Sequence, residues 1–203
     1  MTLYLVSDQR WLQGRSLKED IQQALEGGIT CLQIREKSLN KETFLKEILD
    51  IKALTDQFHA PLIVNDDIHI MLEADADGVH VGQNDMEASK VRKIIGKDKI
   101  LGVSARTVKQ ALKAQEAGAD YLGVGAVFPT STKDDAREVD LKTLQEICQA
   151  VSIPVVAIGG INENNIQELQ GIDIDGVAVV SAILSKQDIQ QASQILLNKV
   201  KQL

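Results

Sequence analysis

At 203 residues, 44% hydrophobic and 25% charged, the chain has the composition of an ordinary globular protein, long enough for one well-packed core. Its 22 basic and 29 acidic residues leave a net charge of -7, which excludes a protein whose main partner is a nucleic-acid backbone or an anionic membrane. Any anionic substrate must therefore be captured by a local concentration of donors.

The first apolar run is LYLVSD at 3–8, and the helical periodicity of SLKEDIQQALEGG at 16–28 follows it. CLQIRE at 31–36 comes next, then KETFLKEILDIKALTDQF at 41–58, in which apolar residues recur every three or four positions. PLIVND at 61–66 leads into IHIMLEADAD, which has room for only a short helix. GVHVGQ at 78–83 and KILGVS at 99–104 are the fourth and fifth runs, with the periodic TVKQALKAQEAGAD at 107–120 after them. YLGVGAVF at 121–128, the helical VDLKTLQEICQAV at 139–151, PVVAIGG at 154–160 and GVAVVSAI at 176–183 complete the series.

A phrase recurs before alternate runs: EGGIT, EADADGV, QEAGADYL and GIDIDGV, each fitting a helix that ends at a small residue and turns into a strand. Pro61 and Pro154 stand at strand starts and Pro129 in a loop, and no Pro-rich, Ser-rich or charge-block linker divides the chain. One domain over residues 1–203 is expected. Eight βα units with near-continuous apolar strands predict a closed (β/α)8 barrel, an α/β TIM barrel with short loops, in preference to an open doubly wound sheet. Cys31 and Cys148 have no zinc or disulfide spacing and read as small buried residues in a reducing compartment. His59, His69 and His80 make no ligand pattern. The interrupted apolar start MTLYLVSDQR and the lack of any bilayer-length run make a cytoplasmic location the expectation, and the oligomeric state is left open.

Such a barrel should collect its unusual polar residues just after each apolar run. Gln33, Arg35 and Lys37 alternate on one face over about 13 Å, enough to line an elongated polyanion. Asn65 and Asp66 follow the third run, Gln83 and Asp85 the fourth, Ser104 the fifth, Thr130, Thr132 and Lys133 the sixth, Gly159 and Gly160 the seventh, and Ser181 the eighth. AIGGINENN reads as a strand ending in two glycines with a helix beginning after it, and with VVSAI it predicts a phosphate cup of exposed N–H groups. Asp66 and Asp85, on neighbouring strands, suit either magnesium or helix caps, with Asp67 the better cap. FPTSTKDDAREV would hang over the same face as a lid carrying Lys133.

The chain resembles the thiamine-phosphate synthase (thiamine phosphate pyrophosphorylase) family. QIREK at 33–37, VND at 64–66, GVHVGQND at 78–85, LGVSA at 101–105, GADYLGVGAVFPTSTK at 118–133, AIGGI at 157–161 and GVAVVSAI at 176–183 carry the resemblance in order through nearly the whole chain. It implies an enzyme with small-molecule substrates that joins 4-amino-2-methyl-5-(diphosphooxymethyl)pyrimidine to a thiazole phosphate, releasing diphosphate and using Mg2+. Gln33, Ile34, Arg35, Glu36, Lys37, Asn65, Ser104 and Lys133 would bind the pyrimidine diphosphate, with Arg35, Lys37 and Lys133 catalytic. Asp66 and Asp85 would hold the metal, and Thr130, Ser131, Thr132, Gly160, Val180 and Ser181 the thiazole phosphate. Ala126, Glu87 and Arg106 depart from the family pattern, which often has proline, proline and histidine there, and none of the three removes a charged or hydroxyl group just assigned.

Two rival readings share the barrel. A thiazole tautomerase would leave the full QIREK set and TSTK unexplained, and no histidine follows a strand end after Asp85 to move its proton. A Schiff-base aldolase could use Lys37 or Lys133.

Overall fold

Each apolar run contains one short strand: β1 (Leu3–Val6), β2 (Cys31–Ile34), β3 (Leu62–Asn65), β4 (Gly78–Val81), β5 (Ile100–Ala105), β6 (Tyr121–Val124), β7 (Val155–Ile158) and β8 (Gly176–Val179). In the computed structural model, which describes residues 1–12, 14–36, 39–130 and 138–203, all eight pair in parallel with their sequence neighbours, and β8 closes on β1. The result is a (β/α)8 barrel, as the alternation of elements requires.

Helices α1 (Leu17–Glu26), α2 (Lys41–Gln57), α3 (Ile68–Glu73), α4 (Ala88–Ile95), α5 (Val108–Glu116), α6 (Leu141–Ala150), α7 (Ser181–Leu184) and α8 (Ile189–Val200) occupy the intervals. Ser16, Asn40, Asp67, Thr107, Asp140 and Asp188 cap α1, α2, α3, α5, α6 and α8, each side chain accepting an N–H three residues on. α3 is as short as expected, at 6 residues.

The interval after β7 differs from expectation. AIGGINENN does not open into an α-helix; it turns and leaves a four-residue 3₁₀ segment, Ile166–Leu169. The asparagines explain this, because their side chains satisfy the local backbone without helix. Asn162 N donates to Asn165 Oδ1 at 2.8 Å, Asn164 N to Asn162 Oδ1 at 2.9 Å, and both Asn162 and Asn165 amides donate to the Gly160 carbonyl.

Strand alternation sorts two cores. Leu5, Leu32, Ile34, Val64, Val79, Leu122 and their neighbours pack outward beneath the helices, while Tyr4, Cys31, Ile63, Tyr121, Val156 and Ala178 fill the barrel. The recurring phrase has a structural reason at the barrel's lower end. The residue just before each even-numbered strand accepts an N–H from the first or second residue of the strand preceding it: Thr30 for Leu3, Asp77 for Leu62, Asp120 for Leu101 and Asp175 for Val155, at 2.7 to 3.1 Å. These clamps satisfy N–H groups at strand starts that have no ladder partner. Among the described residues no helix is long and apolar enough to cross a membrane.

Both thiols sit in these layers. Burial pushes Cys31 up to about 12 and half-buried Cys148, on α6, to about 11. Since the thiolate is the reactive form, neither should react appreciably with Ellman's reagent at neutral pH in the native protein, and both should react after denaturation. Rapid native labelling would show that the layers open.

Candidate active site

A cavity of about 800 Å³ opens at the carboxyl ends of the strands, a size typical of small-molecule sites. Gln33, Arg35, Asn65, Asp66, Asp85, Ser104, Thr130, Gly160, Val180 and Ser181 all line it. Residues separated by up to 148 positions thus meet at one rim because parallel strands all end there (181 − 33). Ile34 and Glu36 do not line this cavity. Ile34 alternates outward and is wholly buried beneath the helices, and Glu36 borders a smaller cavity beside Lys41 and Asp67. Lys37, Ser131, Thr132 and Lys133, and with them most of the expected lid, lie outside the described residues.

Arg35 follows β2 and is braced from β1. Its backbone N–H donates to Ser7 Oγ at 2.9 Å, and its guanidinium lies 3.6 Å from the buried carboxylate of Asp8. Asp8 also accepts from Arg10, Nη2 to Oδ2 at 2.8 Å. Burial alone would raise the Asp8 carboxyl, but the Arg10 hydrogen bonds and the Arg10 and Arg35 charges outweigh it and hold the group below the usual carboxylate range. An ionised Asp8 therefore helps hold the Arg35 guanidinium beside the cavity it lines.

Asp66 and Asp85 lie in the loops that follow the paired strands β3 and β4, and neither caps a helix. The cap of α3 is Asp67, and Glu87 stands at the N-cap of α4 with no side-chain cap bond. Asp66 sits at φ 61°, a left-handed conformation that Asp tolerates better than most residues, with its N–H donating to the His80 carbonyl. Asp85 Oδ2 accepts the Gly82 N–H at 2.7 Å. Among the described residues no group of three or more His, Cys, Asp or Glu side chains could hold a metal. Two carboxylates at one rim nevertheless match what magnesium takes from protein when substrate oxygens and water complete its shell.

On the other arc of the ring, β7 ends in Gly159 and Gly160 at φ 100° and 68°. A Cβ on Gly160 would lie 2.5 Å from the Pro129 carbonyl, so glycine is required both for the turn and for the approach of the loop after β6. Val180 and the short α7 follow β8 beside it.

The model of the family described as thiamine monophosphate synthase matches residues 3–183. The chain belongs to that family. Among its relatives, the thiamine-phosphate synthase of Clostridium tetani is 54% identical over 96% of this chain and 93% of that protein. That of Methanobrevibacter smithii is 49% identical over 99% and 96%. A solved thiamine phosphate pyrophosphorylase from Pyrococcus furiosus superposes with a TM-score of 0.91 at 37% identity, covering 99% of this chain and 96% of that one. Of the positions that depart from the family pattern, Arg106 and Ala126 line the cavity, and Glu87, just before α4, does not.

Among the cavity residues that escaped the sequence reading are Tyr4, His80 and Tyr121. Each sits inside an apolar run, where a polar side chain looks incidental. Alternation could have found them, since Val79 and Val81 face the helices and must leave His80 facing the barrel.

Proposed function

We propose that this barrel joins a 4-aminopyrimidine-methyl diphosphate to a thiazole phosphate, forming thiamine phosphate and releasing diphosphate. The observation that carries this is the division of one cavity into two anion-handling arcs. Arg35, Asn65, Asp66, Asp85 and Ser104 come from β2 to β5, and Gly160, Val180 and Ser181 from β7 and β8. Family membership supplies the identities of the two anions.

The chemistry breaks the bond between the pyrimidine methylene and the diphosphate oxygen, and forms one between that carbon and the thiazole nitrogen. The nitrogen is already a nucleophile and diphosphate already a leaving group, so charge needs stabilising more than protons need moving. Arg35 acts on the negative charge of the departing diphosphate, with Lys37 and Lys133 assigned the same role from the sequence. Asn65 and Ser104 supply neutral hydrogen bonds to the same substrate. Asp66 and Asp85 would hold a magnesium ion, which when bound neutralises diphosphate oxygens. Gly160, Val180 and Ser181, with Thr130, hold the thiazole phosphate through backbone and hydroxyl donors, and Ser131 and Thr132 are assigned beside them. No dedicated base is required, and the aminopyrimidine can delocalise the methylene cation.

Mixing both substrates with the protein and magnesium should release diphosphate in step with thiamine phosphate; absence of either product sinks the reading. Electron-withdrawing substituents on the pyrimidine methyl group should slow turnover by at least about a hundredfold if the carbon–oxygen bond breaks ahead of attack, because they raise the barrier to a cation by roughly 3 kcal/mol. A flat response would point to attack by nitrogen as the driving event.

A further inference from the structure

Five interior side chains form one hydrogen-bonded file across the barrel floor. Gln33 Nε2 donates to Tyr4 Oη at 2.8 Å, and the hydroxyls of Tyr4 and Tyr121 lie 2.8 Å apart. Tyr121 Oη is 2.9 Å from His80 Nδ1, and His80 Nε2 is 2.9 Å from Ser104 Oγ. The file joins β2, β1, β6, β4 and β5, and all five residues border the cavity. The barrel is carved to admit it: a Cβ on Gly102 would lie 2.2 Å from the Tyr121 ring and 2.4 Å from His80 Nδ1. Interiors of such barrels are usually packed with branched apolar residues, so a connected polar file at this depth calls for a function.

Counting protons gives the file a direction. Burial pushes both phenols well above the usual tyrosine value, so each keeps its proton. Gln33 donates to Tyr4, and the Tyr4 proton passes to Tyr121, the nearby Cys31 thiol being the weaker acceptor. Tyr121 then donates to Nδ1, the imidazole carries its proton on Nε2 and donates to Ser104, and the Ser104 proton is left for the cavity. In this order the carbonyl oxygen is the end of the Gln33 carboxamide that Tyr4 leaves free for the cavity Gln33 lines. The reverse order satisfies the same atoms with the other imidazole tautomer, but it turns the Gln33 amide over and takes the Ser104 proton inward. Recognition at one end and donation at the other are therefore one event. An anion accepting from Ser104 selects the order in which Gln33 offers an acceptor.

We propose that Tyr4, Tyr121 and His80 are positioning residues that lock the Gln33 carboxamide with its carbonyl toward the substrate, so that the site selects a 4-amino over a 4-oxo pyrimidine. The inference rests on the reading that a 4-aminopyrimidine diphosphate enters this cavity. An exocyclic amine donates to the Gln33 carbonyl, much as adenine's amine does to a glutamine. An exocyclic oxo group meets that carbonyl as acceptor against acceptor, unless the whole file reverses and the Ser104 donor is withdrawn from the diphosphate.

The test is calorimetric binding of the 4-amino and 4-oxo pyrimidine diphosphates, without thiazole phosphate, to the parent, Tyr4→Phe and Tyr121→Phe. Binding avoids the different intrinsic reactivities of the two compounds. The parent should prefer the amino compound by about a hundredfold or more, and each variant should compress that ratio by at least about tenfold. A folded variant that binds both compounds more weakly but keeps the parent ratio overturns the lock, since a purely structural role would do that. A parent preference below about threefold overturns it with no variant needed. Turnover of the parent with both substrates is measured alongside. An inactive parent sinks the activity reading and this inference with it, whereas an active parent with an unchanged ratio sinks the lock alone.

Discussion

Replacing Arg35 with alanine is expected to slow turnover about a hundredfold or more, with the KM for the thiazole phosphate unchanged within about twofold. The guanidinium lies at the carboxyl end of β2, on the arc assigned to the diphosphate and away from the Gly160 and Ser181 cup. It should therefore act on charge that grows as the bond breaks and leave the second substrate's phosphate alone. Stability should change little. Asp8, the buried carboxylate that braces Arg35, keeps its shorter pairing to Arg10 at 2.8 Å, so the substitution strands no buried charge. Arg35→Lys should fall between parent and alanine variant, because it retains the charge and loses the planar fork that matches two phosphate oxygens. Steady-state kinetics with each substrate varied in turn decides this. An alanine variant with parental turnover would place the diphosphate elsewhere.

The barrel was legible because both faces of a parallel sheet are buried. Strands such as LIV in β3 and GVHV in β4 are apolar almost throughout, and the polar residues that break the run mark the rim. Cavity-lining residues were legible where a strand end coincides with unusual chemistry, as at Arg35, Asp66, Asp85 and Gly160. Ile34 was assigned only because it stands inside a contiguous motif. A strand turns alternate residues to opposite faces, so QIREK cannot deliver all its side chains to one site. The file of Tyr4, Tyr121 and His80 was hidden for the converse reason: hydrogen bonds between residues 117 and 41 positions apart leave no local spacing to recognise. The missing helix after β7 turned on competition between asparagine side chains and backbone, which periodicity does not weigh.

The recurring phrase carried more than its first reading gave. The residue it places just before the strand, Thr30, Asp77, Asp120 or Asp175, fastens the start of the preceding strand, so the sequence repeat marks the end of the barrel opposite the cavity. Stability and chemistry are thereby set at opposite ends of the barrel, with side-chain clamps at the amino ends of β1, β3, β5 and β7 and the residues proposed to meet substrate at the carboxyl ends. Asp66 and Asp85 stand at the cavity end, and their proposed hold on magnesium makes the second large prediction.

Asp66→Asn and Asp85→Asn should each raise the magnesium concentration for half-maximal rate by at least about tenfold and lower turnover at any subsaturating concentration. Asparagine is the informative replacement at Asp66. The residue sits at φ 61°, where Asn is as well accommodated as Asp, so the backbone turn after β3 survives while the charge is lost. Glycine at the same position should fold at least as stably as the parent and share the magnesium defect, which would separate the carboxylate's contribution from that of the turn. At Asp85 the neutral amide can still accept the Gly82 N–H through its oxygen, so a defect there again reports charge. Activity titrated against magnesium, with thermal melts of each variant, reads both quantities. Parental magnesium curves for both asparagine variants would remove the metal from this rim and leave the diphosphate charge to be met by cationic side chains alone.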